Sequence, residues 1–312
     1  MKYLVTGGAG FIGSNFIHYI LDKYPDVEVV NLDKLTYAGD LKYLDKFKDD
    51  KRYRFIKGDI GDTVLMNELV SQTDIVVNFA AETHVDRSIS GPAEFLKTNV
   101  LGTQVLLDAV VKYGKRIHHI STDEVFGDLP LNSKEKFNES TPYDPSSPYS
   151  ASKAASDHLI RSYIRTFGLQ ATISNCSNNY GPHQHPEKLI PQTILFALQG
   201  KKIPVYGKGE NVRDWIYVQD HNSAVDLIIQ KGRLGETYLI GADSEKNNLE
   251  VVRSILKLTG KDESLIEFVA DRPGHDLRYA IDATKIQKEL GWKPTMSFEE
   301  GMKLTIDWYG KN

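Results

Sequence analysis

Residues 2–13 read Lys2-Tyr3-Leu4-Val5-Thr6-Gly7-Gly8-Ala9-Gly10-Phe11-Ile12-Gly13: a short apolar run, a glycine-rich turn and the opening of a periodic segment. Gly7, Gly10 and Gly13 stand in a GxxGxxG spacing. Glycines at such a turn allow a tight bend, close approach of the backbone to a pyrophosphate, and close packing of helix on strand. The helix that follows offers unpaired N–H groups and a partial positive charge to the phosphates. A merely tight βα turn is the alternative. The strand–turn–helix setting favours a dinucleotide site, with Phe11 and Ile12 in its first helical turn.

Working outward, Lys2–Thr6, Val27–Leu32, Tyr53–Lys57, Asp74–Phe79, Arg116–Ser121 and Gln170–Asn175 are short apolar runs. Phe11–Tyr24 and Phe95–Tyr113 carry apolar residues at helical spacing. This alternation predicts an α/β, Rossmann-type doubly wound parallel sheet covered by helices on both faces. Ligands of such a sheet gather beyond the carboxyl ends of its strands. Asp128–Pro148 holds four prolines and no period, and reads as a long surface loop of the kind that forms lids. After Asn178 the prolines crowd together, marking a smaller C-terminal α/β lobe that binds substrate. The expected division is 1–177 for the dinucleotide domain, with 213–243 returning to it, and 178–212 plus 244–312 for the lobe. Asp214–Tyr217 and Thr237–Ile240 read as strands, with Val218–Gln230 as a helix between them.

Composition limits the function. The 312 residues are 40% hydrophobic and 26% charged, with a net charge of −4 and no basic run, which argues against a nucleic-acid polymer as partner. No apolar stretch approaches the roughly 18 residues of a membrane span. The first strand starts at residue 2, leaving no room for a signal peptide, so a cytoplasmic protein is expected. The single cysteine, Cys176, excludes an internal disulfide framework and reads as a small buried hydrophobe. No metal site is expected.

Asp33 follows Gly13 by 20 residues, at the end of the second strand. An acid there accepts from the adenosine ribose hydroxyls and repels a 2′-phosphate, which favours NAD over NADP. Lys34, Leu35 and Thr36 continue that strand end. Asp59 and Ile60 end the third strand, where an adenine is flanked. Phe79-Ala80-Ala81 ends the fourth with small residues that let a cofactor pass close to the backbone.

Tyr149 and Lys153 are four residues apart, on one face of a helix. A free phenol, with a pKa of about 10, is a poor base at neutral pH. A neighbouring cation favours the phenolate, so Lys153 is expected to lower the pKa of Tyr149 and to hold the nicotinamide ribose. Ser121-Thr122-Asp123-Glu124 follows the fifth strand. Thr122 completes a Thr–Tyr–Lys set. Hydride transfer alone has no use for the two acids, which read either as a solvated loop or helix cap, or as an acid/base pair in which one carboxyl, raised in pKa, donates a proton.

The segments GGAGFIG, AAETHVDRSI, STDEVFGDL, YSASK, CSNNYGP, EKLIP, RDWIYV and DRPGHD together resemble the dTDP-glucose 4,6-dehydratases, within the extended short-chain dehydrogenase/reductase superfamily. The resemblance runs from residue 2 to about residue 309, and the Asp-Glu pair is its most discriminating piece. It implies that Tyr149 takes the proton of the sugar 4-hydroxyl while hydride passes from carbon 4 to NAD. Glu124 then removes the carbon-5 proton, Asp123 protonates the departing 6-hydroxyl, and the hydride returns to carbon 6. NAD would thus be kept as a prosthetic group. The resemblance further implies Thr83, Thr98 and Asn179 near the cofactor. Around dTDP-glucose it implies Thr83, Thr122, Asn178, Lys188 and Leu189, with Pro204, Val205, Tyr206, Arg213, Asn248 and the segment Asp271-Arg272-Pro273-Gly274-His275 on its nucleotide. Arg213 suits a diphosphate clamp, or else a surface salt bridge with Asp214 or Asp220. His84, Asp86 and Arg87 are either structural or close to substrate, and Tyr279 and Tyr309 are further candidates. A homodimer pairing through helices that include 149–167 is also implied, as is a product leading to dTDP-rhamnose and other deoxysugars.

Phe126, His183 and His185 depart from the family pattern. Metal binding by the two histidines lacks an accompanying carboxylate set. Rival readings are a UDP-sugar 4-epimerase, which would have no use for this acid pair, a UDP-glucuronate decarboxylase, a family that usually keeps the glutamate with a serine before it, and a catalytically silent NAD-binding regulator, which would not need the four polar groups.

Overall fold

The computed structural model describes residues 1–271 and 274–311. Seven strands form one sheet in the order β10-β6-β5-β4-β1-β2-β3. They are β1 (Lys2–Thr6), β2 (Glu28–Asp33), β3 (Tyr53–Lys57), β4 (Ile75–Asn78), β5 (Arg116–Thr122), β6 (Gln170–Cys176) and β10 (Thr237–Ile240). Every neighbouring pair is parallel. Chain order reverses between β1 and β4, so the crevice beyond their carboxyl ends is where the fold leaves room for a ligand.

Side chains alternate across the sheet. Tyr3 and Val5 face one core and Leu4 the other. The first core is covered by α1 (Phe11–Lys23) and α8 (Val218–Lys231). The second lies under α2 (Thr63–Ser71), α5 (Thr103–Lys112) and α6 (Pro148–Phe167). Between α2 and α5 come two short helices, α3 (Val85–Ser90) and α4 (Pro92–Phe95), and a π-helical turn, Leu96–Gly102, that runs directly into α5. The helical spacing of Phe95–Tyr113 is thus realised as two helical types joined end to end.

The remaining strands make two small sheets. β7 (Asn178–Tyr180), β9 (Val212–Tyr217) and β11 (Glu245–Asn247) form one, and β8 (Ile203–Tyr206) with β12 (Ile266–Val269) forms the other. A third core joins them to α7 (Leu189–Gln199), α9 (Asn248–Thr259) and α11 (Phe298–Lys311). A short helix, α10 (Thr284–Leu290), lies before α11. β10 therefore extends the large sheet while β9 belongs to a small one. Among the described residues no helix is long and apolar enough to cross a membrane.

Residues 128–148 differ from a free lid. The backbone of Phe137 pairs with Ala280 and Asp282, and Leu129 donates to the Arg278 carbonyl. Phe137 is buried against Phe126, ring centroids 5.2 Å apart. Two apolar side chains inside an otherwise polar segment anchor it, and the proline content that suggests a loose loop is compatible with an extended path along 278–282.

Candidate active site

One cavity of ≈ 320 Å³ opens at the carboxyl ends of β1, β2, β4, β5 and β6. Gly7, Gly10, Phe11, Ile12 and Gly13 form its floor, with Asp33, Lys34 and Thr36 on one side and Asp59 and Ile60 beside them. Gly7 has φ +71°, and a β-carbon on it would lie 2.6 Å from the backbone nitrogen of Ala80. A β-carbon on Gly13 would lie 2.4 Å from the Gly7 carbonyl oxygen. The turn therefore exposes bare backbone to the cavity. The Asp33 carboxylate accepts from the backbone N–H groups of Ala9 (2.9 Å) and Leu35 (2.7 Å), which fixes its orientation at the strand end. Burial raises its pKa and the two backbone bonds oppose that. Lys34 is turned away from Asp33 to pair with Asp59 at 2.9 Å. This bare-backbone cradle and oriented carboxylate fit a dinucleotide with free ribose hydroxyls.

Phe79, Ala80, Ala81, Thr83, Thr98, Asn178, Asn179 and Lys188 also line the cavity, as do Thr122, Asp123, Glu124, Tyr149 and Lys153. Leu35 and Leu189 stand just outside it, Leu35 engaging Asp33 through its N–H and Leu189 opening α7. Lys188 precedes that helix and donates to the Thr83 carbonyl at 3.4 Å. Cys176 lines the cavity as a buried thiol pushed up to about 12 by burial.

The start of α6 sets Tyr149. Ser147 caps the helix in a capping box with Ser150, and Pro148 takes its first position. Tyr149, in the next position, lies beside Thr122, whose hydroxyl donates to Asp123 at 3.3 Å. Asp123–Phe126 is a single 3₁₀ turn that closes β5. It buries Asp123 to 2% exposure and leaves Glu124 partly accessible. A solvated loop is thus excluded for Asp123. Burial, then the neighbouring Glu124 charge, hold its carboxyl well above the usual range, and its Oδ2 has no hydrogen-bond partner.

The expectation for Tyr149 is corrected. Its pKa is raised well above the ordinary value, by burial first and by the Glu124 charge second. Lys153 does not reach the phenol here. It donates to the Ile120 carbonyl at 2.8 Å, and burial lowers its own pKa. Spacing along a helix places two side chains on one face, but desolvation of a 7% exposed phenol outweighs a cation whose ammonium points elsewhere.

The other expected substrate residues gather in a second place. Pro204, Val205 and Tyr206 lie on β8, Asn248 opens α9, and His275 pairs with Asp271 at 2.7 Å and packs edge-on to Tyr206. Gly274 adjoins them; Arg272 and Pro273 lie outside the described residues. Arg213 bridges the two places. It makes no salt bridge with Asp214 or Asp220, and its guanidinium donates to the carbonyls of Val212 (2.8 Å) and Asp276 (2.9 Å). It also stacks 4.2 Å from the ring of Tyr279. Tyr279 feels the charge of Glu124, which puts it near the cavity; Tyr309 instead bonds the Gln184 carbonyl.

Sequence reasoning missed several contributors. Tyr37, Gln184, His185 and Glu187 line the cavity mouth. Glu187 lies 3.3 Å from Arg87 and 3.4 Å from His84, and Arg87 sits 3.6 Å over the Tyr37 ring. Asn99, on the π-helical turn, clamps the loop after β4 by bonding both the N–H (2.8 Å) and C=O (3.0 Å) of Glu82, and it donates to Ser152. Position beyond a strand end could have marked Tyr37 and Glu82. Nothing local marks Asn99 or Glu187. His183 engages Ser14 at 2.9 Å and stacks on Tyr43, and among the described residues no group of three or more His, Cys, Asp or Glu is set to hold a metal.

A parallel sheet with a bare-backbone turn, a Thr–Tyr–Lys set and an adjacent acid pair defines a dinucleotide-dependent enzyme of the short-chain dehydrogenase/reductase class. The chain belongs to the dTDP-glucose 4,6-dehydratases, within the wider family described as GDP-mannose 4,6 dehydratase, whose model matches residues 4–305. It is 55% identical to the dTDP-glucose 4,6-dehydratase of Mycolicibacterium smegmatis, over 100% of this chain and 94% of that one. It is 53% identical to the Escherichia coli enzyme of that name, over 100% and 93%. The solved Streptomyces venezuelae enzyme DesIV, a dTDP-glucose 4,6-dehydratase with NAD and TYD bound, superposes with a TM-score of 0.97 at 48% identity, covering 100% and 98%. Thermotoga maritima UDP-glucose 4-epimerase has a similar fold, with a TM-score of 0.92, 30% identity and coverage of 100% and 99%.

Proposed function

We propose that the chain converts dTDP-glucose to dTDP-4-keto-6-deoxyglucose and water, with NAD held in the cavity. The observation that carries this reading is the fully buried Asp123, its carboxyl pKa raised by burial and by the Glu124 charge, beside the partly accessible Glu124 in the same cavity as Tyr149. Two neighbouring carboxyls in different environments are suited to be an acid and a base at once. Held by the Gly7–Gly13 turn and Asp33, NAD would supply the hydride acceptor for sugar carbon 4 and the donor for carbon 6.

The chain's own residues do the rest. Thr122 and Tyr149 hold the 4-hydroxyl, and Tyr149 accepts its proton. Because burial makes the phenol a reluctant acid, positive charge from Lys153 is needed beside it in the loaded site. Glu124 removes the carbon-5 proton, acidified by the neighbouring ketone, and after exchange with solvent returns a proton to carbon 5 as the hydride reaches carbon 6. Asp123 gives a proton to the departing 6-hydroxyl. The cradle of Gly7, Gly10 and Gly13 with Asp33 holds the dinucleotide. The cluster from Pro204 to His275, with Arg213 between it and the cavity, holds the thymidine diphosphate. In this reading 1–177 with 213–243 is the dinucleotide domain and 178–212 with 244–312 the substrate lobe. The enzyme works in the cytoplasm, as a dimer paired partly through α6, and its product feeds deoxysugar synthesis.

The second reading, 4-epimerisation of a UDP-sugar, is less well supported, since it leaves Asp123 without a task. Incubation of the purified protein with dTDP-glucose in deuterated water separates the two. The expected product is lighter by one water and carries solvent deuterium at carbon 5 but not carbon 6. Turnover of UDP-galactose or UDP-glucuronate with dTDP-glucose untouched would overturn the proposal.

A further inference from the structure

Lys153 and Asp157 are four residues apart on α6 and are buried to 4% and 0% exposure. A buried ammonium or carboxylate keeps its charge only beside an opposite charge or several hydrogen bonds. Asp157 has both. Its Oδ2 accepts from Ser121 Oγ (2.8 Å), Tyr143 Oη (2.8 Å) and Asn175 Nδ2 (3.2 Å). Its Oδ1 has no hydrogen-bond partner and lies 3.6 Å from Nε2 of His119.

That same His119 nitrogen lies 3.4 Å from Lys153 Nζ. The other ring nitrogen, Nδ1, is 3.1 Å from the Asn78 amide nitrogen, and the Asn78 oxygen accepts from the Thr6 hydroxyl at 2.6 Å. With Nδ1 accepting, the imidazole proton sits on Nε2 and faces the spare Asp157 oxygen. Burial keeps the ring neutral, with its pKa well below the ordinary value. Tyr143 carries the network toward the surface by accepting from Arg161 at 2.8 Å.

We propose that Asp157, across the His119 ring, is the counter-ion that keeps Lys153 protonated and fixes its ammonium at the cavity wall. It is a positioning residue, because it acts through Lys153. The inference rests on the reading above, in which charged Lys153 serves Tyr149. Lys153 is faced by Tyr149 and Asp157 on its own helix, His119 on β5 and the neutral thiol of Cys176 on β6. Asp157 is faced by Lys153, His119, Tyr143 and, across Tyr143, Arg161. Burial lowers the Lys153 pKa and the Asp157 charge opposes that lowering.

Asp157→Asn removes the charge and keeps size and an accepting oxygen. The purified, NAD-loaded variant should lose kcat on the alkaline side of its profile, about tenfold for each pKa unit by which Lys153 falls. Its alkaline limb should move to lower pH, since Lys153 now loses its proton earlier. KM and NAD content should stay near wild type, and Asp157→Glu should restore part of the limb. An unmoved alkaline limb with wild-type kcat would overturn the proposal. Should Asp157→Asn not fold, Asp157→Ser removes the same charge with a smaller side chain; it should move the alkaline limb to lower pH, and an unmoved limb would count against the counter-ion. Lys153→Met keeps the two readings apart. Full turnover by Lys153→Met would sink the site assignment itself, whereas its inactivity beside a wild-type Asp157→Asn profile would sink the counter-ion alone.

Discussion

Gly7 and Ala80 lie so close that a β-carbon on Gly7 would meet the Ala80 nitrogen at 2.6 Å. The first turn is thereby packed against the end of β4, with nothing but backbone between the two strand ends. Gly7 also sits at φ +71°, where an L side chain is strained by about 1–2 kcal/mol. Gly7→Ala should purify with far less NAD than wild type, read as nucleotide released on denaturation. Full NAD content in the variant would show that the cradle tolerates a side chain.

Glu124 and Asp123 should separate binding from chemistry. Glu124→Gln and Asp123→Asn keep shape, so NAD content should be unchanged. Dehydration should fall by roughly 10²–10⁴-fold, the usual contribution of a positioned acid or base. Either variant turning over dTDP-glucose at the wild-type rate would remove that residue from the elimination.

Arg213 holds two carbonyls with separate guanidinium nitrogens and stacks on Tyr279. Lysine keeps the charge but not the planar fork. Arg213→Lys should raise the KM for dTDP-glucose about tenfold, at the scale of one lost charge-assisted contact, and leave NAD content unchanged. A KM within error of wild type would place the diphosphate elsewhere.

Several buried histidines govern acid stability. Burial lowers His118 to about 3, and His183 and His221 to about 4. Their unfolded-state value is near 6.5. Such groups are neutral in the folded chain and bind a proton on unfolding, so their stabilisation is complete above pH 6.5 and declines as pH falls toward 4. The Tm should drop steeply across that window. His183→Phe, which keeps a ring against Tyr43, should flatten the drop by about one proton, and a slope identical to wild type would remove His183 from the acid response.

Much of the frame was legible because it is local. The β1, β3 and β10 boundaries follow from apolar runs ending at glycine or a polar turn, and α6 from Ser147, Pro148 and Gly168 acting as caps. Asp123 and Glu124 were legible as a pair because two acids at a strand end need an explanation. Their difference in burial was not, since it depends on how deeply one 3₁₀ turn sinks into the cavity. The same applies to Tyr149, whose raised pKa reverses what the YxxxK spacing alone suggests.

The GxxGxxG turn, the alternating apolar runs and the catalytic residue types are determined by the sequence itself, because backbone freedom, period and side-chain chemistry are properties of neighbouring residues. Tertiary structure alone decided that Gly7 meets Ala80, that Asn99 clamps Glu82, and that Lys153 turns to Ile120 with His119 and Asp157 behind it. These contacts join segments far apart in the chain, and their energies depend on burial, which no local stretch encodes.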